Sequence, residues 1–237
     1  MKKPILFDTG CNHCNVRIQS VFNVLEDQQL TDMSMYKSCS VYKKGQYVFS
    51  ENALPTGLFC INTGKIKITT TGFDGKEQIL RLANSGEIVG YLALISNERY
   101  SSSAVTIEDA SICLIDKNYF FNTLATSPKL MFEVVKKMSR DLREAEDHIV
   151  SLSQKNVRER MAEALLFLKA TYGFEADNQT INVTLTREEI ADYVGTSTES
   201  CIRLLSEFNQ CKMIALNGKK ISIINIAELI QTANIED

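Results

Sequence analysis

Short apolar runs separated by glycine-containing turns fill the chain between residues 42 and 115. Residues 65–68 alternate polar and apolar positions, which is typical of a strand with one buried face. The Asp-Gly pair at 74–75 is a common hairpin turn. The other runs cover residues 47–49, 57–61, 78–80, 88–89 and 111–115. Many short strands at this spacing predict an antiparallel β-roll over residues 27–126 rather than a parallel sheet.

A long helix is predicted next, over residues 127–154. Ser127 and Pro128 supply an N-cap and a first-turn proline. A period of 3.5 residues in the apolar positions is that of a coiled-coil seam, so we predict that this helix pairs with its counterpart in a second copy of the chain. The alternative is an amphipathic helix that lies on its own β domain. The seam residues alternate at spacings of four and three: Met131, Val135, Met138, Leu142, Ala145, Ile149 and Leu152.

Residues 155–237 carry the pattern of two short helices joined by a tight turn. Thr186 and Glu189 form a capping box at the start of the first helix, and Gly195 ends it. A second helix is predicted to begin at Thr198. Two helices joined by a glycine-containing turn are typical of a helix-turn-helix, whose second helix enters the major groove of DNA.

A β-hairpin is predicted directly after these helices. Asn217 and Gly218 separate two β-prone runs, and Asn-Gly is a strong hairpin signal. Lys219 and Lys220 follow at the tip, where they can contact phosphates. The chain is therefore predicted to be an α+β protein with a β-roll, a long dimerisation helix and a C-terminal winged helix-turn-helix.

The second helix of the pair carries side chains suited to reading bases. Glu199 and Arg203 lie four residues apart and so share one face. Arg can bond guanine and Glu can accept from cytosine, which predicts readout of a G·C pair. The alternative is a surface ion pair between the two. The other candidate DNA contacts are Thr186, Thr196, Ser197, Thr198, Ser200, Lys219 and Lys220.

Composition and charge narrow the class of protein. The 237 residues include 26 basic and 29 acidic side chains, a net charge of −3, so DNA binding requires a local basic patch. No apolar stretch approaches the roughly 18 residues that span a bilayer. The N-terminus lacks the features of a signal peptide, so we expect a cytoplasmic protein without a membrane partner. Its seven cysteines are then expected to be thiols, metal ligands or redox groups rather than a disulfide framework.

An enzyme is not expected. The two histidines are His13 and His148, and the sequence contains no G-x-S-x-G, phosphate-binding loop or H-E-x-x-H motif. A β-roll interaction protein that does not bind DNA is a further alternative. It would explain the seam but not the lysine-tipped hairpin.

The order of these elements resembles the Crp/Fnr superfamily of bacterial transcription regulators. The most specific segment is residues 186–208, TREEIADYVGTSTESCIRLLSEF. The resemblance implies a jelly roll like a cyclic-nucleotide-binding domain, a homodimer on palindromic double-stranded DNA, and RNA polymerase as a partner. It also implies that Glu199 and Arg203 read the core of each half-site. Ile202 is a departure, because relatives often have Ser or Gly there.

The resemblance also bears on the effector. Cyclic-nucleotide members carry G-E-x-x-L and R-S-A motifs, whose Glu bonds the ribose and whose Arg bonds the phosphate. Neither side chain is present here, and a buried phosphate without a cationic partner is costly, so cyclic AMP is not expected. The corresponding candidate pocket residues are Gly90, Tyr91, Leu92, Ser102 and Ser103.

Several interpretations of the cysteines remain open. Fnr-type sensors hold an iron–sulfur cluster with N-terminal cysteines and one from the β-roll, and such a cluster needs four ligands. Cys-x-x-Cys in the extension over residues 1–26 could also hold zinc with His13, act in thiol redox chemistry, or be exposed thiols. The family's third N-terminal cysteine is missing, so the cofactor is left unknown. The candidate cluster ligands are Cys11, Cys14, Cys113 and either Cys39 or Cys60.

Overall fold

The computed structural model describes residues 10–72 and 74–235. The first nine residues of the predicted extension therefore lie outside the described residues. The chain divides into two compact units. One comprises residues 1–71 and 80–143, and the other comprises residues 72–79 and 144–237.

Two four-stranded antiparallel sheets form the first unit, as the alternation of short runs predicts. Their strand orders are β1-β8-β3-β6 and β2-β7-β4-β5. The strands are β1 Lys37–Tyr42, β2 Tyr47–Phe49, β3 Gly57–Thr63, β4 Ile66–Thr71, β5 Glu77–Ala83, β6 Ile88–Val89, β7 Ser103–Thr106 and β8 Ala110–Asp116. The helices are α1 Asp27–Met35, α2 Tyr91–Ser96 and α3 Lys117–Thr126, after short 3-10 turns between residues 11 and 24.

Apolar side chains of these strands and helices form two buried clusters. One cluster joins the N-terminal turns, α1, α3 and one sheet, and it includes Leu30, Leu58 and Phe120. The other lies among strands of both sheets and includes Phe59 and Ile66. Burying these side chains removes apolar surface from water, which is the main stabilising contribution to such a domain.

The long helix α4, Pro128–Gln154, presents two different apolar faces. Leu130 and Val134 are buried in the first cluster, and Ser127 caps the helix by accepting a hydrogen bond from the Leu130 backbone at 3.3 Å. The predicted seam lies on another face, where every member except the half-buried Met138 is exposed, with Leu142 at 62% and Ile149 at 64%. Packing on its own domain thus accounts for Leu130 and Val134 but leaves the seam uncovered in the single chain.

The second unit contains the predicted helix pair and hairpin. Asn156, Thr186 and Ser197 cap three of its helices with their side chains. Gly195 ends the first helix of the pair at φ +71°, a backbone conformation that favours glycine. The elements are α5 Val157–Tyr172, α6 Arg187–Val194, α7 Thr198–Gln210, β9 Ile214–Asn217, β10 Lys220–Ile223 and α8 Ile226–Ala233.

The C-terminal end of α4 packs within this second unit. The ring of Tyr193 on α6 lies 5.4 Å from the rings of both His148 on α4 and Phe167 on α5. Burial lowers the pKa of His148, so the imidazole is neutral at neutral pH. The Ser151 hydroxyl on α4 donates to the Glu163 carboxylate on α5. These contacts attach the helix-turn-helix to the end of the long helix.

Candidate DNA-binding interface and sensor residues

The exposed face of α7 includes Glu199, Ile202, Arg203 and Ser206. These positions recur at spacings of three and four residues, so they lie on one side of the helix. The opposite side is buried and comprises Cys201, Leu204, Leu205 and Phe208. One side of α7 therefore packs in the domain, while the other is free to enter a groove of DNA.

Glu199 and Arg203 do not form the alternative ion pair. Within residues 10–72 and 74–235, no contact within 4 Å joins their charged groups. A backbone N–H and the Ser197 hydroxyl lower the pKa of Glu199, which keeps the carboxylate ionised. An ionised carboxylate accepts hydrogen bonds, as contact with a cytosine amine requires.

Three of the candidate hydroxyl residues shape the helices. The Thr186 hydroxyl accepts a hydrogen bond from the Glu189 backbone at 3.1 Å. The Ser197 hydroxyl accepts one from the Ser200 backbone at 3.2 Å, and the two serine hydroxyls are also 3.2 Å apart. Thr186, Ser197 and Ser200 thus fix the helix ends, and phosphate or base contacts by them remain predictions, as they do for the half-buried Thr196 and Thr198.

The wing, which is the hairpin β9–β10, differs from the predicted turn by one residue. Asn217 pairs with Lys220, so the two turn residues are Gly218 and Lys219 rather than Asn217 and Gly218. Gly218 takes φ +58°, as glycine readily does. Lys219 is exposed at the tip, whereas the Lys220 ammonium lies 2.6 Å from the Glu175 carboxylate. Lys219 is therefore the freer of the two to contact a phosphate.

Arg187 is a positioning residue that the sequence reasoning missed. Its guanidinium donates to the Gly218 carbonyl at 3.0 Å, which ties the start of α6 to the wing. Its other terminal nitrogen is buried and has no hydrogen-bond partner among the described residues. Burial raises the pKa of the Cys201 thiol on α7 to about 11, and the nearby Arg187 charge opposes part of this rise. Arg187 and Gly218 are 31 residues apart in the sequence. The one signal that the sequence offers for Arg187 is its place at the start of α6.

In the first unit, the candidate pocket residue Tyr91 is buried and bonded to the long helix. Tyr91 is 2% exposed, and its hydroxyl donates to the Asp141 carboxylate on α4. The other candidate pocket residues do not join it in a polar site. Leu92 is 59% exposed, and the Ser103 hydroxyl accepts from the Glu51 backbone at 2.9 Å. Gly90 caps α2, and Ser102 is half-buried.

Asp141 is the centre of a charged network, which also includes Arg81, Glu87, Tyr91 and Lys137. Arg81 and Lys137 each approach its carboxylate at 2.5 Å, and Lys137 also lies 2.9 Å from Glu87. Burial and the Asp141 charge both raise the pKa of Tyr91, which therefore stays a hydrogen-bond donor. The two cations of this region are already neutralised by carboxylates of the chain itself.

Three cysteines form a row across one sheet, which we call the cysteine row. Cys113 on β8 lies directly opposite Cys39 on β1 and opposite Cys60 on β3. Directly opposed residues point to the same face of a sheet. Cys39 and Cys113 are joined by a disulfide. The cysteines were expected to be thiols, metal ligands or redox groups rather than a disulfide framework, and this one pair is bonded because the strand register brings the two side chains together.

The candidate cluster ligands do not fit an iron–sulfur site as the chain is arranged. Cys39 and Cys113 are bonded to each other, and the Cys14 thiol lies 3.7 Å from the Asn62 side-chain oxygen. Burial raises the pKa of Cys60 to about 12, and nearby Cys14 and Cys11 add to this effect. A high pKa opposes the thiolate form that binds metals. Across the described ranges, no three His, Cys, Asp or Glu side chains are grouped to hold a metal ion, including the zinc alternative.

Sequence profiles match both parts of this arrangement. Residues 40–127 match the cyclic nucleotide-binding domain, and residues 159–232 match the Crp-like helix-turn-helix domain. Among the described residues, no helix combines the length and apolar character needed to cross a membrane.

Known proteins share this organisation along most of their length. Electron transport regulator A of Shewanella oneidensis is 30% identical over 225 residues, which cover 92% of this chain and 88% of that protein. The fumarate and nitrate reduction regulatory protein of Vibrio cholerae is 28% identical over 229 residues, 95% of this chain and 90% of its own. The structure of FixK2 from Bradyrhizobium japonicum aligns with a TM-score of 0.76 at 22% identity, covering 85% of this chain and 99% of that one.

A β-roll joined to a winged helix-turn-helix defines a DNA-binding transcription regulator rather than an enzyme. The chain belongs to the Crp/Fnr family of these regulators. The predicted fold class and the predicted regulatory function are thereby confirmed.

We expect that Asp141→Asn destabilises the first unit by about 2–4 kcal/mol, since it leaves Arg81 and Lys137 without their shared carboxylate in a largely buried place. Asp147→Asn is the matched control, because Asp147 is exposed on the same helix. It should change stability by no more than about 0.5 kcal/mol. Urea unfolding of the three proteins measures the difference, and equal midpoints for both variants would contradict the role given to Asp141.

Proposed function

We propose that the protein is a homodimer that binds palindromic DNA, with α7 of each copy in the major groove of one half-site. The observation that carries this proposal is the exposed face of α7, where Glu199 and Arg203 are unpaired with each other and point away from the buried side. Arg203 bonds guanine and Glu199 accepts from the paired cytosine. Lys219 at the wing tip contacts phosphates, and Lys220 does so in exchange for its bond to Glu175.

The seam of α4 supports the dimer. Its members Met131, Val135, Leu142, Ala145, Ile149 and Leu152 are exposed in the single chain, and Met138 is half-buried. Apolar side chains that repeat every 3.5 residues are buried when two such helices pair. Pairing sets the separation of the two α7 helices, which must match half-sites about one helical turn apart.

A change at the β-roll can reach the DNA-binding domain through α4, because α4 contributes residues to both compact units. A signal that alters the seam would change the spacing of the two α7 helices and hence the affinity for the palindrome. The regulator acts in the cytoplasm with RNA polymerase as its partner. The Asp141 network supports a signal other than cyclic AMP, since chain carboxylates already pair with the nearby cations.

Leu142→Glu is expected to convert the dimer to a monomer, because it places a charge in the centre of an apolar seam. Affinity for a palindrome should then fall by at least about tenfold, since the two half-sites no longer bind as one unit. Leu92→Glu is the matched control, as Leu92 is similarly exposed but lies on α2. Sedimentation equilibrium and DNA titration measure both effects. A Leu142→Glu protein that remains dimeric would rule out this seam.

Arg203→Ala should weaken binding to the selected site by on the order of 1–3 kcal/mol and relax preference at one base pair. Lys219→Ala should instead weaken binding to all sequences alike and lower the salt dependence of the affinity by about one counterion. Titrations of cognate and scrambled DNA at several salt concentrations separate the two effects. Unchanged site preference in Arg203→Ala would show that the assigned readout is wrong.

A second candidate function is redox-responsive regulation, favoured by the cysteine row. A disulfide in a reducing compartment is typically transient and redox-sensing. A cellular dithiol could reduce Cys39–Cys113 by taking up the bond itself, which leaves two thiols on the chain and a disulfide on the reductant. The Vibrio cholerae and Shewanella oneidensis relatives are named for the regulation of fumarate and nitrate reduction and of electron transport, which supports the same kind of signal.

For the redox function, we expect that denatured protein prepared in air without reductant alkylates at five cysteines, and at seven after reduction. Cys39→Ser should alkylate at six in both cases. DNA affinity should differ between oxidised and reduced parent protein but not in Cys39→Ser, whereas Cys211→Ser, at an exposed free thiol, should keep the difference. Iron with matching sulfide after anaerobic isolation would instead establish the cluster, and seven free thiols throughout would exclude the disulfide.

A further inference from the structure

Ile202 is the apolar member of the exposed face of α7. It is 51% exposed and lies between Glu199 and Ser206, directly before Arg203. A large exposed apolar side chain is by itself common on protein surfaces. The position of this one is informative, since Glu199 and Arg203 on the same face are the side chains proposed to contact bases.

The fold does not need Ile202 for its own core. The buried side of α7 is filled by other residues, with Cys201, Leu205 and Phe208 fully or almost fully shielded from water. Ile202 faces away from them. Its apolar surface can therefore be removed from water only by whatever the exposed face of α7 contacts, and that contact contributes to binding rather than to folding.

The major groove offers one apolar group to such a side chain. Guanine, cytosine and adenine present only hydrogen-bond donors and acceptors there, whereas thymine also presents its C5-methyl group. We propose that Ile202 is a specificity-determining residue that packs on the methyl group of a thymine next to the G·C pair read by Arg203. This inference rests on the proposed placement of α7 in the major groove, and it adds one T·A pair to each half-site.

Replacement of thymine by deoxyuridine tests this inference directly, because it removes the methyl group and leaves the hydrogen-bonding edge unchanged. The probe is a selected palindromic operator in which each thymine is replaced in turn, symmetrically in both half-sites. One position should lower the affinity of the parent protein by about fourfold for each half-site, the effect of one buried methyl-sized group. Other thymine positions should be nearly neutral.

Variants connect that loss to the side chain. Ile202→Ala should bind the thymine and deoxyuridine operators equally, and Ile202→Val, which keeps a branched apolar side chain, should retain part of the preference for thymine. Ile230→Ala is the matched control, because Ile230 is also an exposed isoleucine of the second unit but lies on α8. It should show the full preference of the parent.

Each outcome separates this inference from the proposed function. A parent protein that is indifferent to every deoxyuridine overturns the inference, as does a preference that persists in Ile202→Ala. The latter result would mean that another side chain contacts the methyl group. Arg203→Ala is assayed on the same operators, and loss of G·C preference there with no effect of deoxyuridine would support the major-groove readout while rejecting the role of Ile202.

Discussion

The structure depends on the long helix α4, which carries two apolar faces, one buried in the β-roll and one exposed. Leu130 and Val134 of α4 are part of the β-roll core, so the start of the helix cannot leave that domain without exposing them. Leu142 and Ile149 are on a different face and remain exposed. A helix that is fixed to one domain and still carries an unburied seam is suited to joining two copies. The same helix ends beside α5 and α6, where His148 and Tyr193 stack.

An ion-pair network inside the first unit is a second set of contacts that holds α4 on the β-roll. Asp141 takes up the charges of Arg81 and Lys137 and the hydroxyl of Tyr91. Isolated charges in a low-dielectric place are costly, so these groups hold each other in position. The family profile matches a cyclic nucleotide-binding domain, and here the candidate pocket residue Tyr91 is bonded to the Asp141 carboxylate of α4. The β-roll fold is thus retained, and its polar side chains Tyr91 and Arg81 bond Asp141 on α4.

The cysteines illustrate how strand register creates chemistry. Cys39, Cys60 and Cys113 are spread over 75 residues of sequence, and their separation along the chain suggests no pairing. Antiparallel pairing of β1, β8 and β3 sets them side by side, and two of them bond. The four cysteines that the resemblance suggested as iron–sulfur ligands are not free together in this structure, because Cys39 and Cys113 are bonded to each other. A redox signal remains supported, but through thiols and a disulfide.

Local chemistry determined much of the structure from the sequence alone. The capping box at Thr186 and the stop at Gly195 predicted the limits of α6, because each acts within a few residues of the helix end. The apolar stripe on α4 and the shared face of Glu199 and Arg203 on α7 followed from helical periodicity in the same way, whereas the exposure of Ile202 on that face did not. Tertiary structure alone decided that Tyr91 bonds Asp141, that Arg187 holds the wing, and that cysteines from three strands align. Those contacts join residues that are distant in the sequence. The packing of whole helices and strands brings these residues together, and no local sequence pattern encodes that packing.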